Sequence, residues 1–361
     1  MFKMYTMKKK VVFFTARDLS NVGGGERMLS IVANNLCYEY DIIVITPYIY
    51  PCYYELNEKV NLVSLGFRYH KNSIMRKIQY IQIIQKIRHW MKTNFYDYFI
   101  TSSSMAFLFI SLISWKKDNR LYAWMQLSYY HPTPLFLKWI ENISYRKFNI
   151  ISINSMDMEI YKKYTHSVYQ IPNPIPFLSS KKAALNIKRI ISVGRLEGGK
   201  RFDLLIDICT NVFKKVPEWT LDIFGQDDGE KSALERLITE RGMNDRIKIH
   251  NPTNDIKNEY LKSSVFATTT KIEAFSLVLL EASECGLPSI SFDVPSGPRD
   301  IIENNYNGYL IKEGNLDTFE EKLTSLLLSY NLRKIMGVNA IEKAKKFDED
   351  LIFKQWRQLL G

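Results

Sequence analysis

The sequence has few of the features that are typical of secreted, metal-binding or membrane-spanning proteins. Its four cysteines are scattered among 361 residues and show no metal-ligand spacing, which fits a protein of the reducing cytosol. The first ten residues, MFKMYTMKKK, contain no apolar segment of the kind found in signal peptides. Met7 is as good a start as Met1. We therefore expect a cytoplasmic protein.

Long hydrophobic runs are also missing. Residues 98–115 carry no formal charge, but the polar residues 101–104 (TSSS) interrupt the run. This pattern predicts a strand, a polar turn and a buried helix rather than a membrane span. No internal repeat or low-complexity segment occurs. The composition, 46% hydrophobic and 24% charged, is typical of a globular protein, and the length suffices for two domains.

Acidic residues are scarce in the N-terminal half. Residues 1–175 hold 22 Lys and Arg against 11 Asp and Glu, whereas residues 176–361 hold 27 of each kind. The whole net charge of +11 therefore lies in the first half. Such an excess attracts nucleic acid, anionic lipid head groups or phosphorylated substrates. Among these partners we expect an anionic membrane surface and a phosphate-bearing substrate, and no nucleic acid.

A GxGxxG dinucleotide motif is absent, but a glycine-rich segment follows the first predicted strand. Residues 11–14 predict that strand, residues 23–27 (GGGER) a turn, and residues 28–37 an apolar helix. A glycine-rich turn lets the backbone approach a phosphate closely, although most such turns bind nothing. Further strands of this half are predicted at 41–46, 60–65, 98–101, 121–124 and 150–154.

One predicted helix, residues 72–92, combines basic and apolar side chains and has Trp90 near its end. The apolar positions are Ile74, Ile78, Ile81, Ile84, Ile87 and Met91, and the basic ones are Arg76, Lys77, Lys86, Arg88, His89 and Lys92. Such a helix either lies on a membrane surface or packs on the core with a solvated charged face.

The second half alternates strands and helices. Strands are predicted at 189–193, 220–224, 247–249, 265–268, 289–292 and 308–311, which indicates a parallel sheet with helices on both faces. The proline-rich segment 171–176 predicts a linker between domains 1–172 and 173–345. The last helix, about 346–361, is expected to pack on the first domain through Ile352, Trp356 and Leu359.

The strongest functional pattern lies in residues 268–302. A loop with Glu273 follows a strand, and a helix at 276–285 contains Glu281 and ends at Gly286. Ser276 is a suitable N-cap, so the first-turn N–H groups should point out of the carboxyl edge of the sheet, where α/β folds bind ligands. The glutamates suit sugar hydroxyls. The pattern indicates a ligand that is part phosphate and part polyol, although a glutamate at a helix edge needs no function.

Two cations follow another strand, at 190–193. Arg195 and Lys200 are five residues apart across Gly198 and Gly199. An arginine binds phosphate through two parallel N–H bonds, and a lysine adds a point charge. The alternative is that both are ordinary surface cations.

In order and spacing, these motifs resemble the C-terminal half of the retaining GT-B glycosyltransferases of family 4, also called glycosyl transferases group 1. The matching segments are GR-x4-K at 194–200, FGxxxG at 224–229, the two glutamates of 273–281, GPRDII at 297–302 and NGYLI at 307–311, with a weaker match at the GG-x-ER segment. The resemblance implies an α/β protein of the GT-B class. In it, two Rossmann-like domains bind acceptor and nucleotide sugar, and their parallel sheets face each other across a cleft.

The resemblance also implies residue roles. Glu273 would contact the donor sugar at the reacting centre, Glu281 the ribose, and Arg195 and Lys200 the leaving diphosphate. The backbone around Phe275, Ser276 and Leu277 would hold phosphate and sugar hydroxyls, and Gly23 and Gly24 would close over the diphosphate. Many relatives carry a sugar-binding histidine where this chain has Gln126, and His131 is the alternative contact.

The implied reaction is retaining transfer from a nucleotide diphosphate sugar, preferably a UDP sugar, to a glycan or polyprenyl-linked saccharide in polysaccharide biosynthesis. No cofactor and no metal is expected, because no DxD motif is suitably placed and Arg195 and Lys200 supply positive charge. Without a clear nucleophile, we expect front-side attack in which the diphosphate accepts the acceptor's proton. The enzyme would associate peripherally with the inner face of the membrane.

Two other functions stay open. A GT-B nucleotide-sugar epimerase would need several titratable groups in its site, and the chain has five histidines. A non-catalytic basic module for membrane binding would need neither Glu273 nor affinity for a nucleotide sugar.

Overall fold

The computed structural model of the protein describes residues 8–361, which form two units. The first unit consists of residues 8–173 and 350–361, and the second of residues 174–349. The division after Asn173 falls inside the predicted linker, one residue from the predicted boundary. The alternative start at Met7 lies outside the described residues.

Seven parallel strands form the sheet of the first unit: β1 (Lys10–Phe14), β2 (Asp41–Tyr48), β3 (Asn61–Phe67), β4 (Tyr98–Thr101), β5 (Leu121–Met125), β6 (Asn149–Ser152) and β7 (Val168–Gln170). Their order is β3-β2-β1-β4-β5-β6-β7. Central strands such as β1 are buried on both faces, as expected for parallel strands between helices. The short strand β7 is missed by the sequence analysis because it lies half-exposed at the sheet edge and has no apolar run.

The helices of this unit are α1 (Gly24–Leu36), α2 (Ser73–Thr93), α3 (Ser104–Ile113), α4 (Leu135–Ser144) and α5 (Ser155–Tyr161). Asn72, Ser103 and Asn154 cap α2, α3 and α5 by accepting hydrogen bonds from first-turn N–H groups. The prediction of a turn at 23–27 is wrong, because α1 already begins at Gly24. Glycine disfavours helix, but the Arg17 side chain packs against this first turn.

Helix α2 corrects the predicted apolar face. Its buried residues are Gln79, Ile83 and Ile87, whereas three of the predicted apolar positions, Ile74, Ile78 and Ile81, are exposed. Trp90 packs on Tyr96 and Phe99. The buried stripe therefore includes a polar residue that spacing of apolar residues alone does not reveal. Gln79 is held there by donating to the carbonyl of Arg68 at 2.7 Å.

The second unit contains six parallel strands: β8 (Arg189–Val193), β9 (Thr220–Phe224), β10 (Ile247–His250), β11 (Val265–Thr268), β12 (Ser289–Asp293) and β13 (Gly308–Lys312). Their order is β10-β9-β8-β11-β12-β13, the arrangement of a Rossmann-like sheet. The helices are α6 (Phe202–Val212), α7 (Lys231–Glu240), α8 (Ile256–Leu261), α9 (Leu277–Glu284), α10 (Pro298–Ile301), α11 (Leu316–Leu328) and α12 (Tyr330–Ala344). This unit matches the predicted strands to within one residue.

The last helix, α13 (Glu349–Leu360), ends the chain within the first unit. Trp356 packs edge-on against Phe13 and Trp124, with ring centroids 6.1 and 5.2 Å away. Ile352 is fully buried, as predicted. The buried residue at the end of the helix is Leu360 and not the predicted Leu359, because the helix buries positions four residues apart.

Candidate functional site

The candidate site lies where β8 and β11 end, because these neighbouring parallel strands send their following loops to the same edge of the sheet. Hydrogen bonds join the two loops. The Thr269 hydroxyl donates to the carbonyl of Arg201 at 2.7 Å, and the Lys271 N–H donates to the carbonyl of Gly199 at 3.0 Å. The loop after β8 is therefore held against the loop after β11.

This contact brings two predicted site residues together. Lys200 Nζ lies 2.6 Å from Glu273 Oε2, and the two side chains are 20% and 18% exposed. Each charge is thus partly desolvated and paired, yet open to solvent. The pair places a cation suited to phosphate beside a carboxylate suited to sugar hydroxyls. These two charges neutralise each other.

Arg195 is not part of this pair. Its side chain is 56% exposed and forms ion pairs with Glu197 at 3.1 Å and Asp228 at 3.4 Å. Exposed pairs of this kind hold a side chain only weakly. Arg195 can therefore exchange these partners for an anion, but the structure does not place it against Lys200.

Two glycines bring the loops after β8 and β9 into backbone contact. A Cβ atom added at Gly225 would lie 1.9 Å from the carbonyl oxygen of Gly194, so no other residue fits without displacing the backbone. The Gly194 N–H in turn donates to the carbonyl of Phe224 at 3.0 Å. The FGxxxG motif thus packs the second loop against the loop that carries Arg195 and Lys200.

Helix α9 begins next to Glu273. Ser276 is its N-cap, as predicted, but its side chain makes no capping hydrogen bond in the described chain. The Phe275 ring is buried and packs edge-on on Phe347 at 5.4 Å, so only the backbone of Phe275 can face a ligand. The predicted contacts of Phe275, Ser276 and Leu277 remain predictions.

Glu281 lies within α9 and is only 3% exposed. Its Oε2 accepts a hydrogen bond from the Tyr260 hydroxyl at 3.0 Å. It is therefore a buried carboxylate with a partner, rather than a residue at an exposed helix edge. Its predicted contact with ribose is not tested by these contacts.

A strained loop adjoins Glu273 from another strand. The N–H of Gly297 donates to the carbonyl of Ala274 at 3.3 Å, and the preceding Ser296 is buried with a positive φ of 74°. A non-glycine residue in this conformation is uncommon and is often found at functional sites. Ser296 directly precedes the GPRDII motif, whose first residue is Gly297.

The glycine-rich segment of the first unit is occupied by its own carboxylate. A Cβ atom at Gly23 would meet Glu26 Oε2 at 2.2 Å, so Glu26 folds back over the start of α1. Glu26 is buried and pairs with Arg17 at 3.2 Å. The Glu26 carboxylate thus takes a position suited to an anion at this helix N-terminus. Closure of Gly23 and Gly24 over a diphosphate stays a prediction, and Arg17 is a neighbouring cation that sequence reasoning missed.

Gln126 and His131 lie in the segment between β5 and α4. Gln126 Nε2 is buried, and within residues 8–361 no atom accepts a hydrogen bond from it. A buried donor without an acceptor is unusual in a folded protein and is suited to receive a ligand oxygen. His131 is exposed, and its backbone N–H donates to the carbonyl of Ser128 at 2.9 Å.

The two Rossmann-like units define an α/β protein of the GT-B class. The carboxyl edge of the second sheet carries side chains suited to phosphate and to sugar hydroxyls. Within that class, residues 178–343 match the family model described as glycosyl transferases group 1. The predicted fold class is confirmed, and the match agrees with the predicted resemblance to glycosyl transferases group 1.

The comparisons extend over the whole chain. The chain is 26% identical to an "Uncharacterized glycosyltransferase" of Haemophilus influenzae, covering 98% of this chain and 100% of the relative. It is 23% identical to a Campylobacter jejuni protein, covering 94% and 96% respectively. That protein is named "GalNAc-alpha-(1->4)-GalNAc-alpha-(1->3)-diNAcBac-PP-undecaprenol alpha-1,4-N-acetyl-D-galactosaminyltransferase".

Among solved structures, the chain has the fold of S. aureus TarM, here a point mutant in complex with Fondaparinux, alpha-GlcNAc-glycerol and UDP. The TM-score is 0.79 at 14% identity, covering 98% of this chain and 100% of that one. Among residues 8–361, no helix is both long and apolar enough to span a membrane.

Proposed function

We propose that the protein transfers a sugar from a nucleotide diphosphate sugar, preferably a UDP sugar, to a polyprenyl-linked saccharide in polysaccharide biosynthesis. The observation that carries the proposal is the Lys200–Glu273 pair at the carboxyl edge of the second sheet. Both charges that the reaction needs, one for the diphosphate and one for the sugar, stand side by side there. The name of the Campylobacter relative, which includes a PP-undecaprenol-linked saccharide, and UDP in the TarM structure support the choice of partners.

The reaction breaks the bond between the anomeric carbon and a phosphate oxygen, and negative charge develops on the leaving diphosphate. Stabilising that charge is the largest task of the site. Lys200 would leave Glu273 and bind the diphosphate, and the exposed Arg195 would leave Glu197 and Asp228 to join it. The two cations would balance the negative charge of the leaving diphosphate without a metal ion.

Glu273, released from Lys200, would accept hydrogen bonds from hydroxyl groups of the donor sugar. The acceptor hydroxyl would attack the anomeric carbon on the face that the diphosphate leaves, and its proton would pass to a diphosphate oxygen. The new bond then has the configuration of the old one. Glu281 would bind the ribose, and Gln126 or His131 would contact the sugars from the first unit.

A thermal-shift screen against UDP, GDP, ADP and their sugars tests this proposal. A ligand present at a hundred times its Kd stabilises the fold by about 2.7 kcal/mol, because it binds only the folded state. We expect one nucleotide series to raise the melting temperature of the wild type. A flat response to every nucleotide would contradict the proposal and favour a non-catalytic basic module.

Turnover separates the transferase from the epimerase. A transferase needs an acceptor, whereas an epimerase converts the donor alone. We therefore expect donor consumption to require a polyprenyl-linked saccharide, and the product linkage to keep the anomeric configuration of the donor when analysed by NMR. A donor that changes configuration at another carbon without an acceptor would favour the epimerase.

A further inference from the structure

Helix α4 presents its apolar side chains to solvent. Leu135, Phe136, Trp139 and Ile143, which we call the α4 face, are 90%, 69%, 60% and 45% exposed. They recur with helical spacing, and the rings of Phe136 and Trp139 stack with centroids 6.3 Å apart. A surface helix of a globular protein normally buries such a stripe. A contiguous exposed apolar patch indicates a surface that binds something.

The charged side of the same helix points inward. Lys138 Nζ donates to the carbonyl of Tyr129 at 2.7 Å, lies 3.5 Å from the centroid of its ring and 3.4 Å from the Glu141 carboxylate. Glu141 is buried. Burial lowers the pKa of Lys138 and raises the pKa of Glu141. With its charges committed inside, α4 cannot simply rotate to bury its apolar face.

The neighbouring helices also expose apolar side chains. Helix α3 packs beside α4 and exposes Leu112, and just beyond its end Trp115 is 84% exposed. Two exposed lysines, Lys116 and Lys117, follow that tryptophan. Helix α2 packs beside α3 and exposes the three isoleucines named above. Aromatic side chains next to lysines are typical of the membrane–water interface.

The charge around the α4 face selects its partner. The only carboxylate of α4 is the buried Glu141, so its exposed side carries no acidic group. The whole net charge of +11 lies in residues 1–175. Two copies of this unit carry the same positive net charge, which disfavours their association through the α4 face. An anionic lipid surface offers both negative charge and an apolar layer.

We infer that the α4 face inserts into the interfacial layer of an anionic phospholipid bilayer, with Trp115 and the basic residues beside it. The inference rests on the proposed function, since a polyprenyl-linked acceptor lies in such a bilayer. Residues 126–134 join β5 directly to α4. Docking of α4 therefore holds Gln126 and His131, the predicted sugar contacts of the first unit, near the lipid head groups.

Co-sedimentation of the full chain with vesicles tests the inference. The test variant is Leu135→Ser/Phe136→Ser/Trp139→Ser. The control is Ile335→Ser/Val338→Ser, which removes two equally exposed apolar residues from α12 in the second unit. We expect the wild type and the control to bind vesicles of phosphatidylglycerol and phosphatidylcholine, and binding to weaken as salt rises. The partition coefficient of the test variant for these vesicles should be lower by about tenfold or more, since three large apolar groups no longer leave water.

Tryptophan fluorescence locates the contact. Of the six tryptophans, only Trp115 and Trp139 are strongly exposed. Brominated lipids should quench the tryptophan fluorescence of the wild type. The Trp139→Phe variant should lose more of that quenching than the Trp90→Phe variant. Quenching unchanged by Trp139→Phe, or equal vesicle binding by the wild type and the triple variant, would overturn the inference. So would equal binding to purely neutral vesicles, or a concentration-dependent dimer in place of vesicle binding.

UDP affinity, measured on the same preparations, keeps the two proposals apart. A triple variant that loses vesicles but binds UDP like the wild type supports membrane docking by the α4 face. A wild type that binds vesicles but no nucleotide contradicts the proposed function and not the docking surface.

Discussion

Replacing Glu273 by glutamine removes one charge of the central pair and keeps its size. The pair is 2.6 Å long and its side chains are about one-fifth exposed. A charge-assisted hydrogen bond contributes about 1.5–3 kcal/mol and an exposed ion pair about 0–1 kcal/mol. We expect Glu273→Gln to lower the free energy of unfolding by about 1–2 kcal/mol, between these limits.

Catalysis and nucleotide binding should respond differently to this change. Lys200 no longer has to leave a carboxylate when UDP binds, so UDP affinity should be unchanged or rise by up to about tenfold, which is 1.4 kcal/mol. The value of kcat should fall by about a hundredfold or more, because a charge at the reacting sugar is lost. Calorimetry with UDP and a transfer assay measure the two effects.

A matched control is Glu218→Gln. Glu218 pairs with Lys188 at 3.1 Å on the surface of the same unit, where the side chains are 44% and 56% exposed. Its removal should change neither kcat nor UDP affinity. If Glu273→Gln left kcat unchanged, Glu273 would not act at the reacting centre. If it weakened UDP binding, the idea that Lys200 exchanges Glu273 for the diphosphate would be wrong.

Three further predictions concern ribose binding, loop packing and thiol reactivity. Glu281→Gln should lower UDP affinity by about tenfold, because one hydrogen bond to a charged group is lost. Calorimetry that shows no change in affinity would remove the ribose role. Gly225→Ala should lower the free energy of unfolding by about 1–3 kcal/mol, because its Cβ overlaps a carbonyl oxygen. The control Gly199→Ala has open space around it and should not lower it. Equal denaturation midpoints for the two variants would contradict the close approach of the backbones. Burial raises the pKa of the Cys285 thiol to about 12, so it stays protonated at pH 8 and should react with a thiol reagent only on unfolding; rapid labelling of the native protein, read by mass spectrometry, would show otherwise.

The second unit is the part that the sequence predicted best. Its strands are short buried apolar runs between clear turns, so the local pattern contains almost all the information. The fold class is confirmed, and residues 178–343 match the model of glycosyl transferases group 1. The Lys200–Glu273 contact could not be predicted from pattern alone, since it depends on β8 and β11 being neighbours across the sheet. Strand order is a property of the whole fold and not of either loop.

The first unit shows where local patterns mislead. The apolar positions of α2 suggested one stripe, but the helix buries Gln79 and exposes Ile74 because packing on the sheet decides its orientation. Helix α1 starts within a glycine run that propensity assigns to a turn. The outward apolar face of α4 was overlooked, since a pattern of apolar residues does not say which way they point.

Binding of UDP to the wild type and to Lys200→Ala tests the central claim most directly. The control is Lys214→Ala, an exposed lysine just beyond the far end of α6, the helix that begins two residues after Lys200. By calorimetry, we expect the wild type and the control to bind UDP equally. Lys200→Ala should bind about 10- to 100-fold more weakly, corresponding to a lost charge-assisted phosphate contact of about 1.5–3 kcal/mol. Equal UDP affinity of the wild type and Lys200→Ala would contradict the assignment of this edge of the second sheet as the diphosphate site.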